Sequence, residues 1–440
     1  MEPPAAPSGL DILGDVYALE RDPGVRALLR NAWTMGCFYI ESPSMRALFE
    51  KLRCETFEAV VAASSVIRPG VAESGMMQEY VARATGQRPP AYLHPKMRDL
   101  LGDTFGVMVY QEDVLRVVHE IGGLTLGEAD LLRRAISGKA RSRESLAELE
   151  RKFFASARER GIEDATAREI WRQISTFAAY SFCKGHSAAF AVLSFQTLWL
   201  KAHWLAEFLA AVLANGGGYY STSAYVQEAR RLGVRVEGPC VNRSALDWRG
   251  RTNRTVVAAA AARENGEEPG ELGEWWERLE RARTPLKNLG RDVQATGNFP
   301  GSEGGFEALA DPPTGWIRAG LLAVAGLSPE LVVRILAERD SAGAYRTPED
   351  FWTRARPTPD EAERLIRCGA CDVFGRTRPE LLMAHALWRR SQVWDSPLFP
   401  WGGGDILNPA PREHTRLRDE AREIAADPAA QEPRAAGSRV

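Results

Sequence analysis

Apolar residues recur at helical spacing along most of this chain, and the pattern predicts a mostly α fold. Residues 16–63 read as helices. Asp22-Pro23 marks a start, with Val25, Leu28 and Leu29 on one side. Pro69-Gly70 reads as a turn, and 71–86 carries Met76, Met77, Tyr80 and Val81 on an apolar face. Residues 106–135 predict a helix, a Gly122-Gly123 break and a second helix. Two more fit 144–180, through Leu146, Leu149, Phe153 and Phe154, then Ala167, Ile170, Trp171, Ile174 and Phe177. Helices fit 187–213 and 222–232, and Gly233-Val234-Arg235-Val236 is the one strand-like stretch of this half. From Arg249 to Gly315 the periodicity fails, with Trp275-Trp276 the strongest apolar feature, so an irregular insertion or linker is expected. Periodicity returns at Trp316 and holds to about Arg390, with two similar helical hairpins in 316–375. The expected divisions are a short disordered start (1–19), a helical domain (20–248), the irregular segment (249–315), a hairpin domain (316–390) and a polar tail (391–440).

Composition narrows the class. A chain of 440 residues with 45% hydrophobic and 26% charged residues has the make-up of a soluble globular protein with two to four domains. No apolar run approaches the roughly 18 residues of a membrane span. The start Met1-Glu2-Pro3-Pro4-Ala5-Ala6-Pro7 lacks a signal-peptide pattern, so a cytoplasmic location and no membrane partner are expected. The net charge of −2 means that nucleic-acid binding would rest on local patches. One such patch runs from Leu131 to Arg143, where Arg133, Arg134, Lys139, Arg141 and Arg143 stand without an acidic residue. Cys368-Gly369-Ala370-Cys371 is a single CxxC without a second pair, which reads either as a partial metal site or as two small apolar residues near a helix end.

Three segments carry candidate chemistry. Arg133 and Arg134 follow Asp130 on a predicted helix, where neighbours point about 100° apart. One can face a ligand while the other pairs with an acid, and a guanidinium fork suits phosphate; a solvated basic face is the alternative. In Phe182-Cys183-Lys184-Gly185-His186-Ser187-Ala188-Ala189, a Lys-Gly-His-Ser loop precedes a helix, which makes an anion site from its free N–H groups. Ser187 reads equally as a plain N-cap. Ala323-Val324-Ala325-Gly326-Leu327-Ser328-Pro329-Glu330 reads as a helix, a tight turn and a second helix, a hairpin that presents N–H groups to DNA phosphates without reading sequence. A weaker copy runs from Glu361 to Ala370 with Gly369 at its turn, and a generic helical hairpin is the alternative.

Taken together, the motifs have a family order. Trp33-Thr34-Met35-Gly36-Cys37-Phe38-Tyr39-Ile40-Glu41-Ser42-Pro43, Ile67-Arg68-Pro69-Gly70, His94-Pro95, Phe105-Gly106-Val107-Met108-Val109-Tyr110-Gln111-Glu112-Asp113, Leu126 to Arg134, Tyr180 to Ala189, and Leu200 to Phe208 follow one another as in the fingers of C-family polymerases, the bacterial DNA polymerase III alpha subunits. Cys37 to Pro43 and Asn215 to Tyr220 resemble the shorter, error-prone branch. The resemblance covers about 20–248 and, less closely, 316–390.

It implies a fingers-like helical domain followed by a tandem helix-hairpin-helix domain. It implies incoming-nucleotide contacts at Arg133, Arg134, Lys139, Lys184 and His186. DNA contacts are implied at Arg68, Arg141, Arg143, Gly326, Leu327, Ser328 and Gly369. The partners implied are template-primer DNA, dNTP and a sliding clamp. The family reaction uses Mg²⁺ held by palm carboxylates. Two of those carboxylates have no counterpart here, and Asp11-Ile12-Leu13-Gly14 only weakly echoes the segment of the third, as a palm remnant. No catalytic and no metal residue is therefore assigned. A separate palm-bearing half is expected, the chain being either part of a split enzyme or a truncated product. The rival readings are a non-catalytic DNA-binding protein derived from fingers, and a hairpin glycosylase that would need an acid such as Asp340 in a base pocket.

Overall fold

The computed structural model describes residues 11–67, 75–136, 143–177, 181–252 and 315–393. The chain divides into two compact units, Met1–Ala202 and His203–Val440. The described residues are mostly helical, as the apolar spacing predicts. Many helix starts follow one local rule. Asp22, Ser42, His94, Ser328, Thr347 and Thr358 each cap a helix by accepting a backbone N–H, and each is followed by proline in the first turn. Proline there loses no intrahelical bond, and its fixed φ suits the helix.

The first unit holds the helices Val16–Arg21, Pro23–Arg30, Pro43–Leu52, Phe57–Val66, Met76–Ala84, Pro95–Leu101, Gln111–Glu120, Leu126–Ile136, Arg143–Glu159, Asp164–Phe177 and Lys184–His203. A core around Val114, Val118, Ile121, Ala129, Leu132, Phe153, Ile170 and Ile174 joins the helices from Gln111 to Phe177. The Gly122-Gly123 break is dictated by this core. A Cβ on Gly122 would lie 2.3 Å from the Phe153 ring, and Gly123 has φ +68°.

The second unit combines a small sheet with the hairpins. Strands β1 (Val234–Glu237), β2 (Arg249–Thr252) and β3 (Gly315–Arg318) lie in the order β1-β3-β2. β1 runs parallel to β3 with Val234 opposite Gly315, and β2 runs antiparallel with Arg249 opposite Arg318. Helix Leu205–Asn215 packs on β2 and β3, and Gly250 lets the chains meet, since a Cβ there would sit 2.5 Å from the Ala206 carbonyl oxygen. Helices Pro329–Ala342, Pro348–Ala355, Pro359–Arg367 and Arg378–Val393 enclose a core of Leu321, Leu331, Val332, Ile335, Phe351, Trp352, Leu365 and Ile366.

Several expectations are corrected. Residues 11–19 are folded: Asp15 caps helix Val16–Arg21, Leu19 is fully buried, and Gln196 Nε2 donates to the Leu13 carbonyl. The expected 20–248 domain spans both units. The stretch at Trp316 is a strand rather than helix, because only Gly315–Arg318 alternates and four residues are too few to show a period. β2 is a polar edge strand with no buried residue, held by pairing, so no apolar pattern announced it. The expected helix 187–213 is two, divided at Trp204. The first hairpin opens on a short 3-10 turn, Leu321–Ala323, rather than an α-helix. The start before Asp11, the Pro69-Gly70 turn, the interior of the irregular segment with Trp275-Trp276 (253–314) and the tail beyond Val393 lie outside the described residues.

Candidate functional site

The arginine pair sits in the last turn of helix Leu126–Ile136, and one carboxylate engages both residues. Arg133 Nη2 lies 2.8 Å from Asp130 Oδ1 and Arg134 Nε lies 2.7 Å from Oδ2. Both engage it because three- and four-residue spacing each bring a helical side chain back over Asp130. The two differ in burial. The Arg133 side chain is 16% exposed and that of Arg134 58%. The hydrogen bond from Arg133, and then the charges of both arginines, hold the Asp130 carboxyl below its ordinary pKa although burial opposes them. The carboxylate stays charged, and the trio presents one net positive charge.

The Lys-Gly-His-Ser segment is joined to the Val109–Asp113 motif. Tyr110 and Phe182 form an isolated parallel bridge, with Gln111 N–H donating to the Phe182 carbonyl at 2.9 Å. Helix Lys184–His203 starts earlier than expected. Its Lys184 N–H donates to Glu112 Oε2 at 3.0 Å, so a protein carboxylate already meets that helix start. The Lys184 ammonium lies 5.1 Å from the Tyr110 ring centroid. Ser187 is inside the helix and fully buried, its hydroxyl 2.8 Å from that of Ser65. It is neither N-cap nor ligand.

His186 is exposed and belongs to a row of rings that the sequence reading missed. Its ring lies 4.2 Å from Phe190 and 5.2 Å from Phe182, while Phe190 stacks on Phe38 at 5.4 Å and 22°. Phe38 is 42% exposed. Helix Lys184–His203 fixes the Phe38 loop as well: Ser194 Oγ donates to the Phe38 carbonyl, and buried Lys201 Nζ donates to the carbonyls of Trp33 and Met35, each at 2.8 Å. The four-residue spacing of His186, Phe190 and Ser194 was the available signal.

In the second unit, Gly326 has φ +80° and is exposed, and Leu327 is buried. Ser328 is occupied by structure. Its Oγ caps Leu331 N–H, and both its N–H and its hydroxyl meet Glu361 Oε1, at 3.0 and 2.6 Å. Glu361 Oε2 accepts from the N–H and hydroxyl of Thr358, at 2.9 and 2.7 Å, so one buried carboxylate ties two helix starts together. Gly369 has φ +85°, with Arg378 Nη2 close to it. Arg378 pairs with Asp372 at 2.9 Å.

The Asp340 side chain is 75% exposed on the surface of its helix beside Arg339. Cys368 and Cys371 are free thiols; Cys371 is buried, which pushes its thiol above the ordinary pKa and fits the apolar reading, while Cys368 is exposed. Among the described residues no group of three or more His, Cys, Asp or Glu side chains is arranged to hold a metal ion. Asp11 begins the 3-10 turn Asp11–Gly14, and Arg143 begins helix Arg143–Glu159. Arg68, Lys139 and Arg141 lie outside the described residues. No helix among them is long and apolar enough to cross a membrane.

Comparison with known proteins assigns the same two regions. Residues 16–161 match the model of the bacterial DNA polymerase III alpha subunit finger domain, and 300–381 match a helix-hairpin-helix motif. The DNA polymerase III subunit alpha of Helicobacter pylori is 32% identical over 365 residues, 82% of this chain and 26% of that protein. The error-prone DNA polymerase of Symbiobacterium thermophilum is 33% identical over 359 residues, 80% of this chain and 29% of that protein. That of Mycobacterium bovis is 30% identical over 365 residues, covering 82% and 28%. The chain thus spans less than a third of the length of these relatives. In its finger region and the hairpins that follow, this chain belongs to the bacterial DNA polymerase III alpha family.

Proposed function

We propose that this chain supplies the fingers and the DNA-binding hairpins of a DNA polymerase III alpha-type enzyme, in replication or error-prone synthesis. The observation that carries this reading is the arginine pair within the finger match: a helix end with Arg134 58% exposed and Arg133 braced beneath it by the same carboxylate. Arg134 contacts the triphosphate of an incoming dNTP, since its fork can turn from Asp130 to phosphate at small cost. Arg133 positions Asp130 and the helix end. Lys184 and His186 face the same nucleotide, with the Phe38, Phe190 and His186 row bordering the base or sugar. Lys139 belongs with this group and Arg68, Arg141 and Arg143 with the DNA contacts. The hairpins hold template-primer DNA through its phosphates. A palm-bearing portion supplies the Mg²⁺ carboxylates, and a sliding clamp is a further partner of the assembled enzyme. The setting is cytoplasmic.

The test measures binding of a fluorescent dNTP to the chain in the presence of primed template, with the palm-bearing portion added. Arg134→Ala should weaken nucleotide binding about tenfold, the equivalent of one charge-assisted hydrogen bond at about 1.5 kcal/mol. It should leave duplex DNA affinity nearly unchanged. Nucleotide binding untouched by Arg134→Ala refutes the assignment. A chain that binds DNA but no nucleotide even with the palm-bearing portion present is a DNA-binding protein that reuses the finger fold.

A further inference from the structure

The geometry points to an asymmetry between the two hairpins: only the first turn, Ala325–Leu327, grips a DNA backbone phosphate, and it does so with Arg364, a residue delivered by the second hairpin. This rests on the proposed DNA-binding role and adds to it a residue and a division of labour.

The first observation is where Arg364 lies. A Cβ built on Gly326 would meet the Arg364 guanidinium at 2.7–2.8 Å, and Arg364 Nη1 is 3.5 Å from the Ala325 carbonyl. The planar cation therefore rests on the bare backbone of the turn, which only glycine permits. Among the described residues no carboxylate pairs with Arg364, and no hydrogen bond uses the N–H groups of Ala325 or Gly326, while the Leu327 N–H folds back toward Val324 across the tight turn. Ala325 and Gly326 are exposed. A cation beside open backbone donors is a phosphate-binding arrangement.

The second observation excludes the nearby alternative. The start of helix Pro329–Ala342 is the usual place for an anion, but Glu361 already fills it by accepting from the N–H and hydroxyl of Ser328. A phosphate is displaced toward the preceding turn, where Arg364 waits. Glu361 and Arg364 stand three residues apart on helix Pro359–Arg367, on neighbouring positions of one face. One helix thus locks the cap with an acid and arms the turn with a base.

The third observation concerns the second turn. Arg378 lies on Gly369 much as Arg364 lies on Gly326. Its charge is spent, however, on both oxygens of Asp372, at 3.2 and 2.9 Å, and on the Arg367 carbonyl at 3.1 Å. The N–H groups of Gly369 and Ala370 are bonded to the carbonyls of Ile366 and Leu365. The second turn therefore lacks the open backbone donors that the first offers beside its arginine, and its work is to place Arg364.

The test is a salt titration of duplex DNA binding by the full chain, compared among wild type, Arg364→Met, Arg364→Lys and Arg378→Met. Each backbone phosphate contributes about 0.9 to the slope of log K against log salt. Arg364→Met should lower the slope by about 0.9, Arg364→Lys should keep it, and Arg378→Met should leave it unchanged. Thermal melts of each variant show whether the hairpins remain folded, and Arg364→Lys preserves the test if the methionine variant does not fold. A slope unaffected by Arg364→Met, or lowered as much by Arg378→Met, overturns the asymmetry while DNA binding stands. A wild type that binds no duplex at all refutes instead the proposed DNA-binding role.

Discussion

One buried carboxylate, Glu361, joins two helix starts of the hairpin domain, and replacing it by glutamine measures what it holds. The carboxylate accepts four hydrogen bonds, two from Ser328 and two from Thr358, at 2.6–3.0 Å. Glutamine keeps one accepting oxygen and turns an NH₂ group toward the other pair of donors. Two bonds to a charged acceptor are lost, each contributing about 1.5–3 kcal/mol, so Glu361→Gln should cost about 3–6 kcal/mol. The pH dependence gives an independent check. Burial raises the Glu361 pKa, but the bonds from Ser328 and Thr358 outweigh it and leave the group below its ordinary value. A depressed carboxylate contributes stability above its unfolded pKa and loses it as pH falls through the folded pKa. The gap between wild type and Glu361→Gln should therefore be full at pH 7 and shrink in acid. Urea unfolding of the full chain gives the free energies, and amide exchange at Ser328 and Thr358 locates the change. A variant within about 0.5 kcal/mol of wild type at pH 7 sinks the reasoning, since that is the scatter of ordinary surface substitutions. So does a gap that widens in acid.

Other expectations can be checked on the same protein. Lys201→Met leaves the Trp33 and Met35 carbonyls without their ammonium donor and should cost the first unit about 2–5 kcal/mol; an unchanged melting curve contradicts it. Burial pushes Asp113 up to about 7, against the opposing Tyr110 N–H and the Lys184 charge. A carboxyl raised in the folded state costs stability as pH rises from its unfolded value toward 7, so Asp113→Asn should gain on wild type across that window. The gain has a ceiling of about 4 kcal/mol, from about three pKa units at 1.36 kcal/mol each; parallel pH–stability curves would show that Asp113 does not titrate there. Gly326→Ala forces a side chain to φ +80° against the Arg364 guanidinium and should cost about 1–3 kcal/mol, read by thermal melting of the second unit.

What the sequence made legible was what depends on local pattern. Helices came from apolar spacing and from cap-proline pairs such as Ser42-Pro43 and Thr358-Pro359. The Gly122-Gly123 break was readable, though its reason, the Phe153 ring, was not. The strands β2 and β3 escaped because each is four residues long and is defined by partners far away in the chain. The same limit applied to the sites. Arg133 and Arg134 stood out as a pair, but their shared carboxylate emerged only from helix geometry. Arg364 carried no motif. Its significance comes from a glycine 38 positions earlier, and long-range contacts leave no period in a sequence.

Charge placement explains how a chain of net charge −2 can still be arranged to meet phosphates. Several of its candidate cations are already answered by neighbours: Arg133 and Arg134 by Asp130, and Arg378 by Asp372. Such pairing does not silence every cation equally. An exposed ion pair is worth about 0–1 kcal/mol, so Arg134 can leave Asp130 for a phosphate that offers stronger, bidentate bonds. Arg133, largely covered, gains nothing by leaving and keeps the acid in place. Between binding events each internal acid keeps its arginine ordered, which lowers the entropy lost when a phosphate arrives. The cost is competition, since Asp130 must be left facing the incoming triphosphate. Removing it separates the two effects. If Asp130→Asn tightens nucleotide binding, repulsion dominates; if it weakens binding, the carboxylate acts mainly by holding the fork ready. Competition at the one exposed arginine is cheap and the ordering serves both, so the second outcome is the one this arrangement predicts.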